Sequence, residues 1–328
     1  MALDRDQDGS LTPDELIQGI MSAIAKNAAG SKKSFTVPDG KGGVQEIQSA
    51  SITESGVDLS QLWQKVLHGS VSFSQAAEDY LSTYMDPAKK KGLFADNTES
   101  EDSAYTNLQH HWDEAFGYFG AARNYLELTD MEIRSDFSAD SYDVEDYVGL
   151  GQGDGEISLL TEKNLGMATN AAKRDLAAKG KDTDFTQNTM EAFLKGRHLV
   201  QEKPEGYLKY AQAYSIIALN QWEQVLAATV IHYINETAHH LQAYGTDSYK
   251  FTDVAKVYGE MKGFAFAFQF NPNSPMSVED FERMHMLMGD APVLPQNGDV
   301  NAYVDQLMEV RDMLQKTYGF SDETVKGW

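Results

Sequence analysis

The sequence of 328 residues predicts an all-α protein, a helical bundle, on three observations. Residues 207–244 contain neither Gly nor Pro and are apolar through their middle, which suits one helix of about ten turns. Elsewhere apolar residues recur at helical spacing, as in Leu16, Ile17, Ile20, Met21 and Ile24 on one face. Strand signals are few. A chain of this length can form one large helical domain or two packed bundles.

The elements follow in order. Pro13 opens a helix that runs to Ala28, since proline is well placed in a first helical turn. Residues 31–60 are polar and rich in Ser and Gly, and Phe35-Thr36-Val37 precedes Pro38-Asp39-Gly40, so they read as a loop or short hairpin. Helices are expected over 59–67 and 73–84, followed by an acidic linker at 96–102. An aromatic helix is expected from about Tyr105 to Leu128, and a second acidic loop covers 136–155. Helices over about 163–178 and 184–201 lead to Pro204 and the long spine. Three more, over about 251–270, 278–288 and 300–318, complete the chain, the first stopped by Asn271-Pro272. The organisation predicted is a short N-terminal unit (1–30), a connecting loop (31–60) and a helical domain (61–328).

Composition narrows the partners. With 50 acidic against 27 basic residues and a net charge of -23, the surface repels nucleic acid and anionic lipid and attracts cations. The chain has no cysteine, which excludes disulfides, thiolate nucleophiles and zinc-cysteine sites. No apolar run approaches the length of a membrane span, and no secretory apolar region stands at the front. An exported protein would therefore already have lost its signal.

The first fifteen residues carry the clearest motif. Asp4, Asp6, Asp8, Ser10, Thr12 and Glu15 fall at the ligand positions of an EF-hand loop, with Gly9 at its sharp turn. Three alternate carboxylates converge on calcium, Ser10 offers its carbonyl, Thr12 a water-mediated contact and Glu15 a bidentate carboxylate. Leu11 is the apolar residue of the loop, and the helix from Pro13 is its exiting helix. Only Met1, Ala2 and Leu3 precede Asp4, too few for an entering helix, so the chain is expected to begin inside a longer protein. A partial second hand is visible at Asp154-Gly155-Glu156-Ile157, matching positions five to eight. Positions one and three are Leu150 and Gln152 and Glu162 comes one place late, so an acidic turn is favoured over a calcium site built on Asp154.

Transition-metal chemistry concentrates on two helices. His111 and Glu114, three residues apart, can offer an imidazole and a carboxylate to one ion, and His110 with Glu114 is the alternative pair. Gly117 and Gly120 remove bulk and would let another helix approach. On the spine, His232, Glu236 and His239 lie within two turns of one face, and Glu236 with His239 is a Glu-x-x-His pair of the kind used inside bundles. Such pairs also arise as ordinary structural hydrogen bonds. The second ion is accordingly read as iron or zinc at His111 and Glu114, with His232 or Glu236 from the spine.

Four strings together resemble a known family: His110-His111-Trp112-Asp113-Glu114-Ala115-Phe116-Gly117-Tyr118-Phe119-Gly120; Asn170-Ala171-Ala172-Lys173-Arg174-Asp175; 227–235; and 260–272. They are similar to a bacterial branch of envelope proteins related to the imelysins, and the likeness covers about residues 60–320. The resemblance implies a helical-bundle body, export to the periplasm or outer membrane, and a link to iron acquisition. It also implies a peptidase, from which the family takes its name. The family signature Gly-x-His-x-x-Glu falls on Gln109 to Glu114, with Gln109 in place of the glycine and His111 and Glu114 retained.

Enzyme motifs are otherwise scarce: no His-Glu-x-x-His helix and no Gly-x-Ser-x-Gly elbow occurs. The reading reached is a non-enzymatic envelope protein associated with calcium and a second metal, and tied to iron uptake. A metal-dependent peptidase, with His111 and Glu114 activating a metal-bound water, is the first alternative. A calcium-stabilised structural or adhesive module, in which the aromatic helix is merely core, is the second.

Overall fold

The computed structural model describes residues 12–30, 34–83, 88, 90–135 and 163–328. These residues form an all-α bundle with one two-stranded hairpin. Helix α1 (Pro13–Ala29) begins at Thr12, whose hydroxyl accepts the Glu15 N–H. The Glu15 carboxylate in turn accepts the Thr12 N–H at 2.9 Å, closing a capping box that satisfies two free donors of the first turn. Leu16 and Ile20 bury against Val66 and Phe266, so α1 lies on the helical body.

The hairpin pairs β1 (Ser34–Pro38) with β2 (Val44–Gln48), antiparallel, with Phe35 opposite Ile47. Asp39 makes the turn by accepting the N–H groups of Lys41 and Gly43, at 2.8 and 2.9 Å. Val37 and Ile47 point into the main core. The Gln45 side chain accepts the Phe251 N–H and donates to the Tyr249 carbonyl, which caps the following helix from outside.

Helix α2 (Leu59–Lys65) runs without a break into a wide π turn (Val66–Val71), a short α3 (Ser72–Ser74) and a second π turn (Gln75–Tyr80). The two helices expected here are thus one rod. Gly69 looks like an interruption in sequence, but in the fold it lets the Phe264 ring approach, since a Cβ there would stand 2.7 Å from that ring.

Helix α4 (Asn107–Phe119) is shorter than expected. Gly120 ends it in the left-handed region at φ 91°, and a Cβ there would meet the Leu165 carbonyl oxygen at 2.4 Å. Gly117 faces open space instead of a neighbouring helix. Close approach is provided by Gly196 of α7 (Phe185–Glu202), where a Cβ would sit 2.0 Å from the Trp112 ring. Trp112 is buried, and its indole N–H donates to the Phe193 carbonyl at 2.9 Å.

A short α5 (Asp130–Ser135) and α6 (Gly166–Ala177) precede α7. The spine is α8 (Tyr207–Gln242), about 54 Å long at 1.5 Å per residue. It packs against α6, α7 and three later helices: α9 (Phe251–Ala265), α11 (Val300–Tyr318) and α12 (Asp322–Gly327). Its middle, from Val225 to Ile231, is buried on every side, which explains why that stretch is apolar all round. Helix α9 carries Gly259 and Gly263 toward α2, whose backbone would lie within 3 Å of a Cβ at either position. The remaining helix, α10 (Val278–Met288), covers the end of α9. No helix among the described residues is long and apolar enough to cross a membrane.

Candidate functional site

The π turns bring Tyr80 beside α4 and so create the polar cluster of the body. His110 and Glu114, one turn apart on α4, meet at 2.8 Å between Nε2 and Oε1. Tyr80 donates its hydroxyl to Glu114, and that hydrogen bond, with burial, raises the phenol's pKa. The Tyr80 ring stacks on Tyr118, with centroids 5.8 Å apart, and stands edge-on to His111 at 5.5 Å. Tyr105 stacks on His110 at 5.3 Å. Beyond Tyr105 a cleft of about 380 Å³ is lined by Glu99, Ser103, Gln109, Arg197 and Gln201.

His111 takes a different part. Its Nδ1 accepts the Gly92 N–H at 3.1 Å, while burial and the nearby His110 lower its pKa and keep the ring neutral. A neutral imidazole with Nδ1 as acceptor carries its proton on Nε2, leaving neither nitrogen free for an ion. Metal-binding imidazoles show the reverse arrangement, donating from the nitrogen that does not touch the metal. Spacing allows Glu114 either partner, and the fold pairs it with His110.

The spine residues stand on other neighbours. His232 Nδ1 lies 3.4 Å from the Trp328 carbonyl, so it donates there and its Nε2 keeps a lone pair. Burial, then the Arg174 guanidinium, pulls the His232 pKa down to about 4. Arg174 and Lys173 both act against a positive charge at His232, so a cation bound there would be opposed by them. Glu236 pairs with His240 at 3.6 Å. The His111–Glu114 and His232–Glu236 pairs share no neighbour in these contacts. Among the described residues no group of three or more His, Asp or Glu is gathered as a metal centre.

Of the calcium loop, Asp4, Asp6, Asp8 and Ser10 lie outside the described residues, as does Asp154. Thr12 and Glu15 lie within them, as cap and third residue of α1. The hydrogen bonds from Thr12 lower the Glu15 pKa and keep the side chain an ionised acceptor.

One buried carboxylate of the spine lies outside the pairs chosen from the sequence. Glu223 on α8 is fully buried and accepts hydrogen bonds from Asn271, Ser274 and, at 2.6 Å, Tyr318. Its sequence signal is only an acidic residue inside an apolar run.

The described residues thus define an α-helical bundle with a small polar cluster where its π turns meet α4. Residues 14–145, which include α1, the hairpin, the π turns and α4, match the family described as Domain of unknown function (DUF4856). No curated protein and no solved structure matches the chain.

Proposed function

We propose that this is a non-enzymatic, calcium-associated protein of the bacterial envelope, holding calcium in the loop Asp4–Glu15. The observation that supports it is the register between loop and helix. Positions nine and twelve of an EF loop belong at the start of the exiting helix, and Thr12 and Glu15 stand there as cap and third residue of α1. The Glu15 carboxylate is turned back onto Thr12, position nine of the loop. The envelope setting and the link to iron rest on the imelysin-like strings, which extend beyond the matched residues 14–145.

Calorimetric titration of the whole chain with calcium is expected to show saturable binding in the wild type and none in Asp8→Ala/Glu15→Ala. At calcium a hundredfold above Kd the bound state gains about 2.7 kcal/mol. Unchanged binding in the double variant removes the loop from the proposal.

A second ion, iron or zinc, is proposed at His110 and Glu114, the pair that the fold brings together. Two protein ligands give weak affinity, so the expected result is zinc binding that falls at least tenfold in His110→Ala and is unchanged in His111→Ala. The opposite order would return the site to His111. Peptide turnover lost in His110→Ala would instead favour the peptidase.

A further inference from the structure

The interior between α2, α5, α6, α8 and α9 gathers positive charge in a chain whose net charge is -23. Lys173 is acted on by Arg174, Lys65 and Arg134, and Arg174 by Arg134, while Glu260 opposes this charge at Lys173 and Glu236 at Arg174. Glu260 is already engaged: Lys65 Nζ lies 3.2 Å from its Oε1, and Tyr233 donates to it as well. Glu236 faces His240, at 3.6 Å. Arg174 is matched only in part, by Tyr233 and then Glu236. It is only 8% exposed, and its Nε and Nη1 have no hydrogen-bond partner. Its place is secured through the backbone, where its carbonyl accepts the Trp328 indole N–H at 2.8 Å.

A buried guanidinium with two of its three nitrogens unpaired is costly, because those N–H groups lose hydration and gain no acceptor. Burial lowers the Arg174 pKa to about 10, which still leaves it charged at neutral pH. A planar guanidinium matches the paired oxygens of a carboxylate or phosphate, and Lys173 beside it adds a second charge. His232 fits the same ligand: it is kept neutral there, and with Nδ1 donating to Trp328 its Nε2 can accept a hydrogen bond from the hydroxyl of a protonated oxyanion. Arg134 and Glu236, exposed and part-exposed, mark the side open to solvent.

We infer that Arg174 and Lys173 form a binding site for a small oxyanion, a carboxylate or a phosphate group, in the interior of the bundle. This site is separate from the proposed cation sites and of opposite sign.

The test titrates the full chain with inorganic phosphate and, in a second arm, with acetate, each at constant ionic strength set with sodium chloride. Thermal melting and calorimetry are the readouts. The wild type is expected to give a saturable rise in Tm with at least one of the two, and the arm that responds identifies the chemistry. In Arg174→Lys, which keeps the charge and removes the planar fork, Kd is expected to weaken at least tenfold. Lys173→Gln changes a half-buried side chain and is expected to weaken Kd severalfold, which decides the matter should Arg174→Lys fail to fold. A wild type that responds to neither anion, or variants that bind as the wild type does, overturns the proposal.

Discussion

Glu223→Ala is expected to lower the stability of the fold by about 3–4 kcal/mol. The carboxylate is fully buried at the middle of α8 and accepts from Asn271 and Ser274 in the turn after α9 and from Tyr318 at the end of α11. Truncation leaves these donors facing a small cavity, and each buried donor without a partner costs about 1–3 kcal/mol. Asn271 keeps one alternative acceptor, the Asn220 side-chain oxygen at 3.1 Å, which limits the damage. Glu223→Gln separates geometry from charge. Its amide oxygen can accept from Asn271 while its NH2 donates to the Ser274 and Tyr318 hydroxyls, both of which can also act as acceptors. The glutamine variant is therefore expected to lose only about 1 kcal/mol. Urea unfolding of the three proteins checks this, and an alanine variant within 1 kcal/mol of wild type would show that Glu223 does not join these elements.

What the sequence made legible follows from how local each signal is. The spine is readable because nothing between Tyr207 and Gln242 interrupts a helix, and the structure ends it two residues before the expected Tyr244. Pro38-Asp39-Gly40 marks the hairpin through turn chemistry alone. The misjudged positions depend on distant residues. The break expected between 67 and 73 is helical, and Gly69 within it receives the Phe264 ring from α9. Gly120 looks like a small packing residue and is a left-handed helix stop, with the Leu165 backbone over it. His110 and His111 are both within reach of Glu114, and the choice is made by Gly92 and Tyr80, neither of which belongs to α4. Arg174 shows the same limit in electrostatic form. Lys173-Arg174 reads as an ordinary charged turn of helix, and only the convergence of five elements reveals a guanidinium with two nitrogens unpaired.

The last expected effect concerns Lys262, whose ammonium is buried beneath α10. The side chain is 3% exposed, donates to the His285 carbonyl at 3.3 Å and lies 5.8 Å from the Phe266 ring. Burial lowers its pKa to about 7, against about 10.4 in an unfolded chain. Between these values the unfolded state holds a proton that the folded state has released, so stability rises with pH across that interval. Above it the side chain is neutral in both states and the penalty vanishes; below about pH 7 the penalty is complete. The interval of about three units, at about 1.4 kcal/mol each, amounts to about 4–5 kcal/mol, from which the Phe266 face returns about 0.5–2 kcal/mol by attracting the ammonium. Lys262→Met keeps the length and apolar stem and removes the charge, at the loss of one hydrogen bond worth about 1 kcal/mol. The variant is accordingly expected to be more stable than wild type by about 2 kcal/mol at pH 6, and equal or slightly less stable at pH 10. Thermal melts of both proteins across this range cancel the groups they share and leave the contribution of Lys262. A difference that is flat with pH, or a variant that melts below wild type at pH 6, would mean that the ammonium is stabilised in place by its carbonyl and ring, and that its burial carries no net penalty.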